Sequence, residues 1–320
     1  MSSPRNFWEY LFDAKADRAG GVRIEMRMVS KQGRPFLLLP RQGRAAVASL
    51  GLYPAQTPRA RAARIALGLL LRMGLPLGMR QIAFTVPSDE PFAGFLTWLA
   101  GEPKPGLPVL GILAGNPASD GQRFLLLVFG ADQRPVAVVK AGLSERAQSL
   151  VEKERAFLAA VPAGTSSVPG LRGAFERPHM RALALDYFAG DSPRPRDEGA
   201  LPALLASWVD ARRSFALSDA ADWGRLERAA SGTGLFARLA GQIRNRVVHP
   251  VIQHGDLAPW NIKVSPAGRW IVLDWERGEL AGIPTWDWFH YVIQPAILVE
   301  HLPTPELVRR VEGLLGSEAF

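Results

Sequence analysis

The stretch VIQHGDLAPWNIKVSPAGRWIVLDWE, residues 251–276, places His254, Asp256, Asn261 and Asp274 around two short apolar runs. Pro259 bars a regular helix interior between Asp256 and Asn261, because it has no amide proton and clashes with the preceding turn. The span is therefore read as a loop whose two ends can face one site. WIVLD, 270–274, reads as a strand that delivers Asp274 at its end. A sharp turn at Pro266-Ala267-Gly268 would pair NIKVS with RWIVLD and return Asp274 to the side of Asn261. The residue types suit phosphoryl transfer. That chemistry needs a carboxylate near the attacking hydroxyl, hard oxygen ligands for Mg²⁺ and a cation on the nucleotide phosphates.

Upstream, VLGILAG (109–115), RFLLLVFG (123–130) and PVAVVKAG (135–142) read as three strands with short connections, which favours an antiparallel meander. LSERAQSLVEKERAFLAAV (143–161) reads as a helix with Ser144 at its N-cap. LRGAFER and RALALDYFAG supply two further strands, and 200–248 is helical in pattern. The first hundred residues read as a small α+β unit: strands at 22–28, 34–40 and 81–87, a helix at 59–74 and a short helix ending at Leu99. GEPKPGLP, 101–108, reads as a linker. The expected organisation is an N-terminal extension (1–100), a sheet-bearing lobe (101–190) and a helical lobe carrying the quoted stretch (191–320).

HGDLAPWN followed by LDWE resembles the H-x-D-x-x-x-x-N and metal-aspartate motifs of the protein-kinase-like superfamily, in the style of its aminoglycoside phosphotransferase and choline kinase branch. The resemblance covers residues 109 to near 300. It implies an α+β bilobal protein-kinase-like fold, with an antiparallel-sheet N-lobe and a mainly helical C-lobe, here preceded by the extra unit. It implies Asp256 as catalytic base, Asn261 and Asp274 as Mg²⁺ ligands, and His254 as support for the loop. It further implies a third-strand lysine paired with a glutamate on the next helix. Lys140 fits the lysine, and Glu154 the glutamate, with Glu152 as the alternative. Asp186, Tyr187 and Phe188 of DYFAG fall at the family's inter-lobe hinge, where backbone groups hold adenine. In PTWDWFHY, 284–291, Asp287 matches a later aspartate that braces the catalytic loop, and a helix N-cap is its plain structural role. The implied cofactors are ATP and Mg²⁺.

The chain departs from protein kinases at Gly255, where they carry Arg, and at Glu276, where they carry Gly. Only twelve residues separate Asp274 from Asp287, too few for a long activation segment, which points to a small hydroxylated acceptor. The phosphate loop is also unusual: Gly115 to Gly121 reads G-N-P-A-S-D-G, with Ser119 and backbone N–H groups as the phosphate donors. Residues 191–250 hold seven acids against nine bases, without the acidic surplus a polycationic antibiotic would favour. A sugar-like or other hydroxylated metabolite is thus expected over an aminoglycoside. Trp208, Trp223, Trp286 and Trp288 are candidates for stacking or, more commonly, for core. The alternative to an enzyme is a non-catalytic kinase-like module that docks through its basic N-terminal unit.

Composition sets the remaining bounds. The chain has 320 residues, 48% of them hydrophobic, and no cysteine, so disulfides and thiolate metal sites are excluded. No secretory signal is visible and IALGLLL, 65–71, is too short to span a bilayer, so a cytoplasmic protein is expected. Residues 1–100 carry 14 Lys and Arg against 6 Asp and Glu, which accounts for the whole excess of the +8 net charge. Weak contact of that segment with an anionic surface is compatible with this. No nucleic-acid motif is present, so no nucleic-acid partner is expected.

Overall fold

The computed structural model describes residues 6–13, 20–31, 33–53, 55, 57–75, 79–101, 107–115, 121–229 and 234–318. The chain divides into two compact units. The first comprises Met1–Arg155 and Gly170–Tyr187, the second Ala156–Pro169 and Phe188–Phe320.

The first unit is built on one eight-stranded sheet. In chain order its elements are α1 (Phe7–Leu11), β1 (Gly21–Lys31), β2 (Arg34–Pro40), α2 (Gly43–Ser49), α3 (Pro58–Arg72), β3 (Arg80–Pro87), α4 (Pro91–Ala100), β4 (Leu110–Ala114), β5 (Arg123–Phe129), β6 (Pro135–Gly142), α5 (Glu145–Ala160), β7 (Leu171–Arg177) and β8 (Met180–Asp186). The strand order is β3-β1-β2-β4-β5-β6-β8-β7, with antiparallel neighbours throughout. Ser144 Oγ accepts the Ala147 N–H at 3.2 Å, the N-cap expected for α5.

The boundary expected near residue 100 falls inside this sheet. β2 pairs with β4 through Leu37↔Leu113 and Leu38↔Ile112, so the first hundred residues continue the sheet of the next eighty-seven. The physical reason lies in β2 itself. Its LLLP end is buried, and an unpaired edge of that composition would leave amide groups without partners and invite aggregation. One core also crosses the expected boundary, uniting Trp8, Phe84, Phe92 and Leu96 with Phe124, Leu126, Val139 and Ala182. The turn-rich stretch 101–108, of which 102–106 lie outside the described residues, does not mark the end of a core.

Arg177, on β7, ties this arrangement together. Its guanidinium donates to the carbonyls of Tyr10 and Leu11, each at 2.8 Å, and pairs with Glu90. Glu90 in turn accepts the Ala93 N–H as the N-cap of α4. Burial pushes the Glu90 carboxyl up, while the α4 amide and Arg177 pull it down.

The second unit holds α6 (Leu201–Ser207), β9 (Phe215–Ala216), α7 (Ala221–Ala229), α8 (Gly234–Ile243), β10 (Val247–Val248), β11 (Val251–Gln253), β12 (Ile262–Val264), β13 (Trp270–Val272), β14 (Glu279–Gly282), α9 (Trp286–Leu298) and α10 (Thr304–Leu315). Its strands form three two-stranded pairs: β9 with β10, β11 with β14, and β12 with β13. Trp275 is fully buried at its centre. It stacks on Phe157 at 4.7 Å between ring centres and meets Trp208 edge-on at 5.3 Å. Trp208 and Trp223 are buried, as core residues, whereas Trp286 and Trp288 are half-buried in the first turn of α9. Among the described residues, no helix is long and apolar enough to cross a membrane.

Replacing Arg177 strands the buried Glu90 carboxylate and frees two carbonyls. Arg177→Met is expected to lower unfolding free energy by about 2–4 kcal/mol in urea denaturation. Glu90→Gln in the same background should recover part of that loss. Strictly additive losses would show that the two groups do not act as a pair.

Candidate active site

Each unit carries its own part of the constellation. In the first, Lys140 sits on β6 in an otherwise apolar run, and its neighbours in sequence are buried. An isolated ammonium there would be costly, so the strand requires a partner. Glu154, on α5, supplies it: Lys140 Nζ lies 2.6 Å from Oε1 and 2.8 Å from Oε2. Lys140 is 4% exposed and Glu154 0%. The alternative, Glu152, is engaged elsewhere. It forms a two-point pair with Arg155 at 2.6 and 2.9 Å and lies 3.5 Å from Arg181.

In the second unit the loop 254–261 is built around one carboxylate. Asp287, on α9, accepts the backbone N–H of His254 at 2.6 Å and that of Gly255 at 2.9 Å. It is the second residue of α9, and its helix's N-cap is Thr285, so its function is to brace the loop rather than to cap. Gly255 has φ 77°, and a β-carbon there would lie 2.9 Å from the Arg277 carbonyl oxygen. The departure from Arg at this position thus follows from a left-handed turn packed against Arg277.

His254 is completely buried, and its ring meets Trp275 edge-on at 4.7 Å. Nε2 lies 2.7 Å from the Leu273 carbonyl and Nδ1 3.2 Å from the Asp256 N–H. Nε2 is therefore assigned the proton, and Nδ1 accepts. Burial pushes the His254 pKa down, so the ring is neutral. A proton on Nδ1 would set two donors against each other. His254 supports the loop through these two bonds.

Asn261 closes the loop in a short 3₁₀ turn, Pro259–Asn261. Its Nδ2 donates to the Asp256 carbonyl at 2.9 Å, which orients the amide. The β12–β13 hairpin then does what the spacing predicts. The register Ile262↔Val272, Lys263↔Ile271, Val264↔Trp270 sets Asn261 opposite Leu273, and the Leu273 N–H donates to the Asn261 carbonyl at 2.7 Å. The tight turn lies at Ser265–Arg269, with Gly268 at φ 77°. Asp274, one residue on, is held at φ 68°, a left-handed conformation that aspartate tolerates and that recurs at functional sites. The end of the hairpin thus sets Asn261 opposite Leu273, one residue before Asp274, while the Asn261 side chain is bonded to the Asp256 backbone carbonyl.

The hinge residues behave unevenly. The Asp186 N–H is taken by the Gly170 carbonyl at 3.0 Å and the Tyr187 N–H by the Val136 carbonyl at 3.4 Å. Any adenine contact at those two residues would fall to their carbonyls. The Phe188 ring lies beneath the Arg269 guanidinium at 5.2 Å. Ser119, the expected phosphate donor, lies outside the described residues.

Sequence reasoning missed His290. Its Nδ1 lies 3.1 Å from the Leu257 carbonyl, and its Nε2 lies 3.5 Å from Asp256 Oδ1 and 3.1 Å from Gln294 Nε2. It follows Asp287 by three residues on α9, so both present toward the same loop. That spacing is legible in WDWFH but carries meaning only once Asp287 is known to face the loop.

The antiparallel sheet carries the buried Lys140–Glu154 pair, and the β12–β13 hairpin sets Asn261 opposite Leu273, next to Asp274. A model of the phosphotransferase enzyme family matches residues 85–287, and the chain belongs to that family. No curated protein sequence matches it significantly. Among solved structures, the bifunctional kinase-methyltransferase WbdD is 18% identical, with 62% of this chain and 39% of that one covered and a TM-score of 0.34. This chain therefore spans well under half of that protein's length. A putative fructosamine-3-kinase from Haemophilus somnus is 14% identical, covering 71% and 82%, with a TM-score of 0.41. The aminoglycoside phosphotransferase APH(3'')-Id from Streptomyces rimosus is 13% identical, covering 64% and 83%, with a TM-score of 0.42. Likeness at this level says nothing about substrate.

Two expectations follow. Lys140→Met removes both Lys140 bonds from the buried Glu154 carboxylate, and should destabilise the protein by about 3 kcal/mol or more in chemical denaturation. The Lys140→Met/Glu154→Leu pair should restore most of that. The second concerns pH. Burial raises the Asp287 pKa from 3.8 to about 6, against the pull of its two N–H donors. The native state then binds the extra proton, so this group's contribution to stability is full below 3.8 and is lost as pH climbs through about 6. Measured against Asp287→Asn, the parent should therefore lose relative stability between pH 4 and pH 7.5, by on the order of 3 kcal/mol. A flat difference would show that Asp287 titrates normally.

Proposed function

We propose that the protein is an ATP- and Mg²⁺-dependent phosphotransferase that moves the γ-phosphate to a hydroxyl of a small, sugar-like or otherwise hydroxylated molecule. The observation that carries this reading is the β12–β13 hairpin. It pairs Asn261 with Leu273, the residue before Asp274, and the Asn261 amide nitrogen donates to the backbone carbonyl of Asp256, whose carboxylate is partly exposed. Asn261 and Asp274 offer two oxygens of the kind Mg²⁺ takes, so the donor set fits that ion. Bound there, Mg²⁺ would neutralise charge on the phosphates.

The chain's own residues do the rest. Asp256 is held from both sides, its N–H by His254 and its carbonyl by Asn261, while 38% of its side chain stays exposed. It accepts the proton of the acceptor hydroxyl and orients that oxygen for in-line attack. Lys140, fixed by Glu154, presents its charge to the nucleotide phosphates. His290 stands beside Asp256 and limits the directions its carboxylate can take. The second unit shows no acidic excess between 191 and 250, which favours a neutral acceptor over a polycation.

ATP consumption against a panel of hydroxylated metabolites tests the reading. Asp256→Ala should lower turnover by at least about a hundredfold with the thermal transition unchanged, since general-base contributions run from about 10² to 10⁴. Equal turnover by variant and parent would reject the assignment. Absence of any ATP–Mg²⁺ stabilisation in a thermal-shift titration would reject nucleotide use itself.

A further inference from the structure

From Met26 to Ser88 the chain contains ten Arg and Lys residues and no Asp or Glu. α3 lies in the middle of this segment. Only Gly68 and Leu71 of its fifteen residues are buried. The face turned to solvent is not polar, as a surface helix of this length would ordinarily present. Ile65, Leu69 and Met73, the last being its C-cap, are 62%, 52% and 62% exposed. They recur every four residues and so form one line along the helix, with Ala62 and Ala66 beside it. At 3.6 residues per turn, Arg61 and Arg72 flank one side of that line and Arg59 the other. Leu75, just beyond the helix, is 45% exposed and extends the row. Arg72 also lines an open depression of about 790 Å³ together with Arg44, Gln42 and Gln133.

We propose that α3 is an interfacial helix that docks the protein on an anionic membrane surface. Its apolar row would enter the boundary between headgroups and acyl chains, and its flanking arginines would meet lipid phosphates. The composition is that of helices lying in a membrane interface: arginine on the flanks, aliphatic residues on the face, no acid to repel an anionic leaflet. A nucleic-acid surface would use the arginines and gain nothing from three exposed aliphatic side chains. A second copy of the chain would place like charges against each other along the whole segment. The remaining α3 contacts explain why the row is outward. Leu67 and Leu71 already pack against Leu37, Leu39 and Leu50, so the face opposite them has no core to enter. This proposal is independent of the phosphotransferase reading.

Co-sedimentation of the full-length protein with vesicles tests it. Phosphatidylcholine vesicles are compared with vesicles containing phosphatidylglycerol, at low and high salt. The parent is expected to partition onto the anionic vesicles and about tenfold or more weakly onto neutral ones. Ile65→Asp/Leu69→Asp should lower partitioning at least about tenfold at both salt concentrations. Arg61→Gln/Arg72→Gln should weaken it at low salt and flatten its salt dependence. All four side chains are exposed, and unchanged thermal transitions and circular dichroism spectra would confirm intact variants. No partitioning of the parent, or equal partitioning of the aspartate variant, would overturn the proposal. So would tight binding of a DNA or RNA duplex that the aspartate changes leave untouched, or self-association that they abolish.

Discussion

Two backbone N–H groups, those of His254 and Gly255, end on the single buried carboxylate of Asp287. The rest of the loop 254–261 depends on that pair of bonds. A loop of this kind has no strand or helix to satisfy its amides, and in a buried setting each unpaired amide costs about 1–3 kcal/mol. Asp287 meets both at once and so sets where Asp256 emerges. His254 then joins the loop to the end of β13 through the Leu273 carbonyl, and Asn261 joins its far end back to the Asp256 carbonyl. The loop is closed by hydrogen bonds on three sides while the Asp256 side chain stays partly open to solvent.

The cost of this arrangement is electrostatic. Asp287 is 4% exposed and sits within range of a second carboxylate, Asp256, so its proton is held tightly for an aspartate. Its place in the first turn of α9 offsets part of that cost, because helix N-termini favour negative charge. The same logic governs the first unit. Lys140 and Glu154 are both withdrawn from water, and neither would be tolerated there alone. Each unit thus holds one buried ionic arrangement.

Much of this was legible before any coordinates. β2, β6 and β7 occupy the residues that alternation and turn signals assign to them, and α5 begins at its expected cap. The β12–β13 hairpin followed from Pro266-Ala267-Gly268 between two apolar runs, and with it the pairing of Asn261 with Leu273, next to Asp274. Glu154 over Glu152 was open, because both lie on α5 and only the direction of each side chain separates them. The same limit hid His290. A histidine on an amphipathic helix has no meaning until the helix's neighbour is known. The continuity of the eight-stranded sheet was hidden for a different reason: β2 and β4 are seventy residues apart, and no local pattern records a pairing at that distance.

The sequence by itself determined the chemistry of this protein: which carboxylates, amide and ammonium are present, in what order, and on which kinds of local element. Local order is enough for that because turns, caps and strand alternation act over a few residues. Tertiary structure alone decided which glutamate faces Lys140, that Asp287 braces a loop instead of capping its helix, and that the first hundred residues build one sheet with those that follow. Each of those outcomes depends on burial, and burial is a property of the folded chain as a whole.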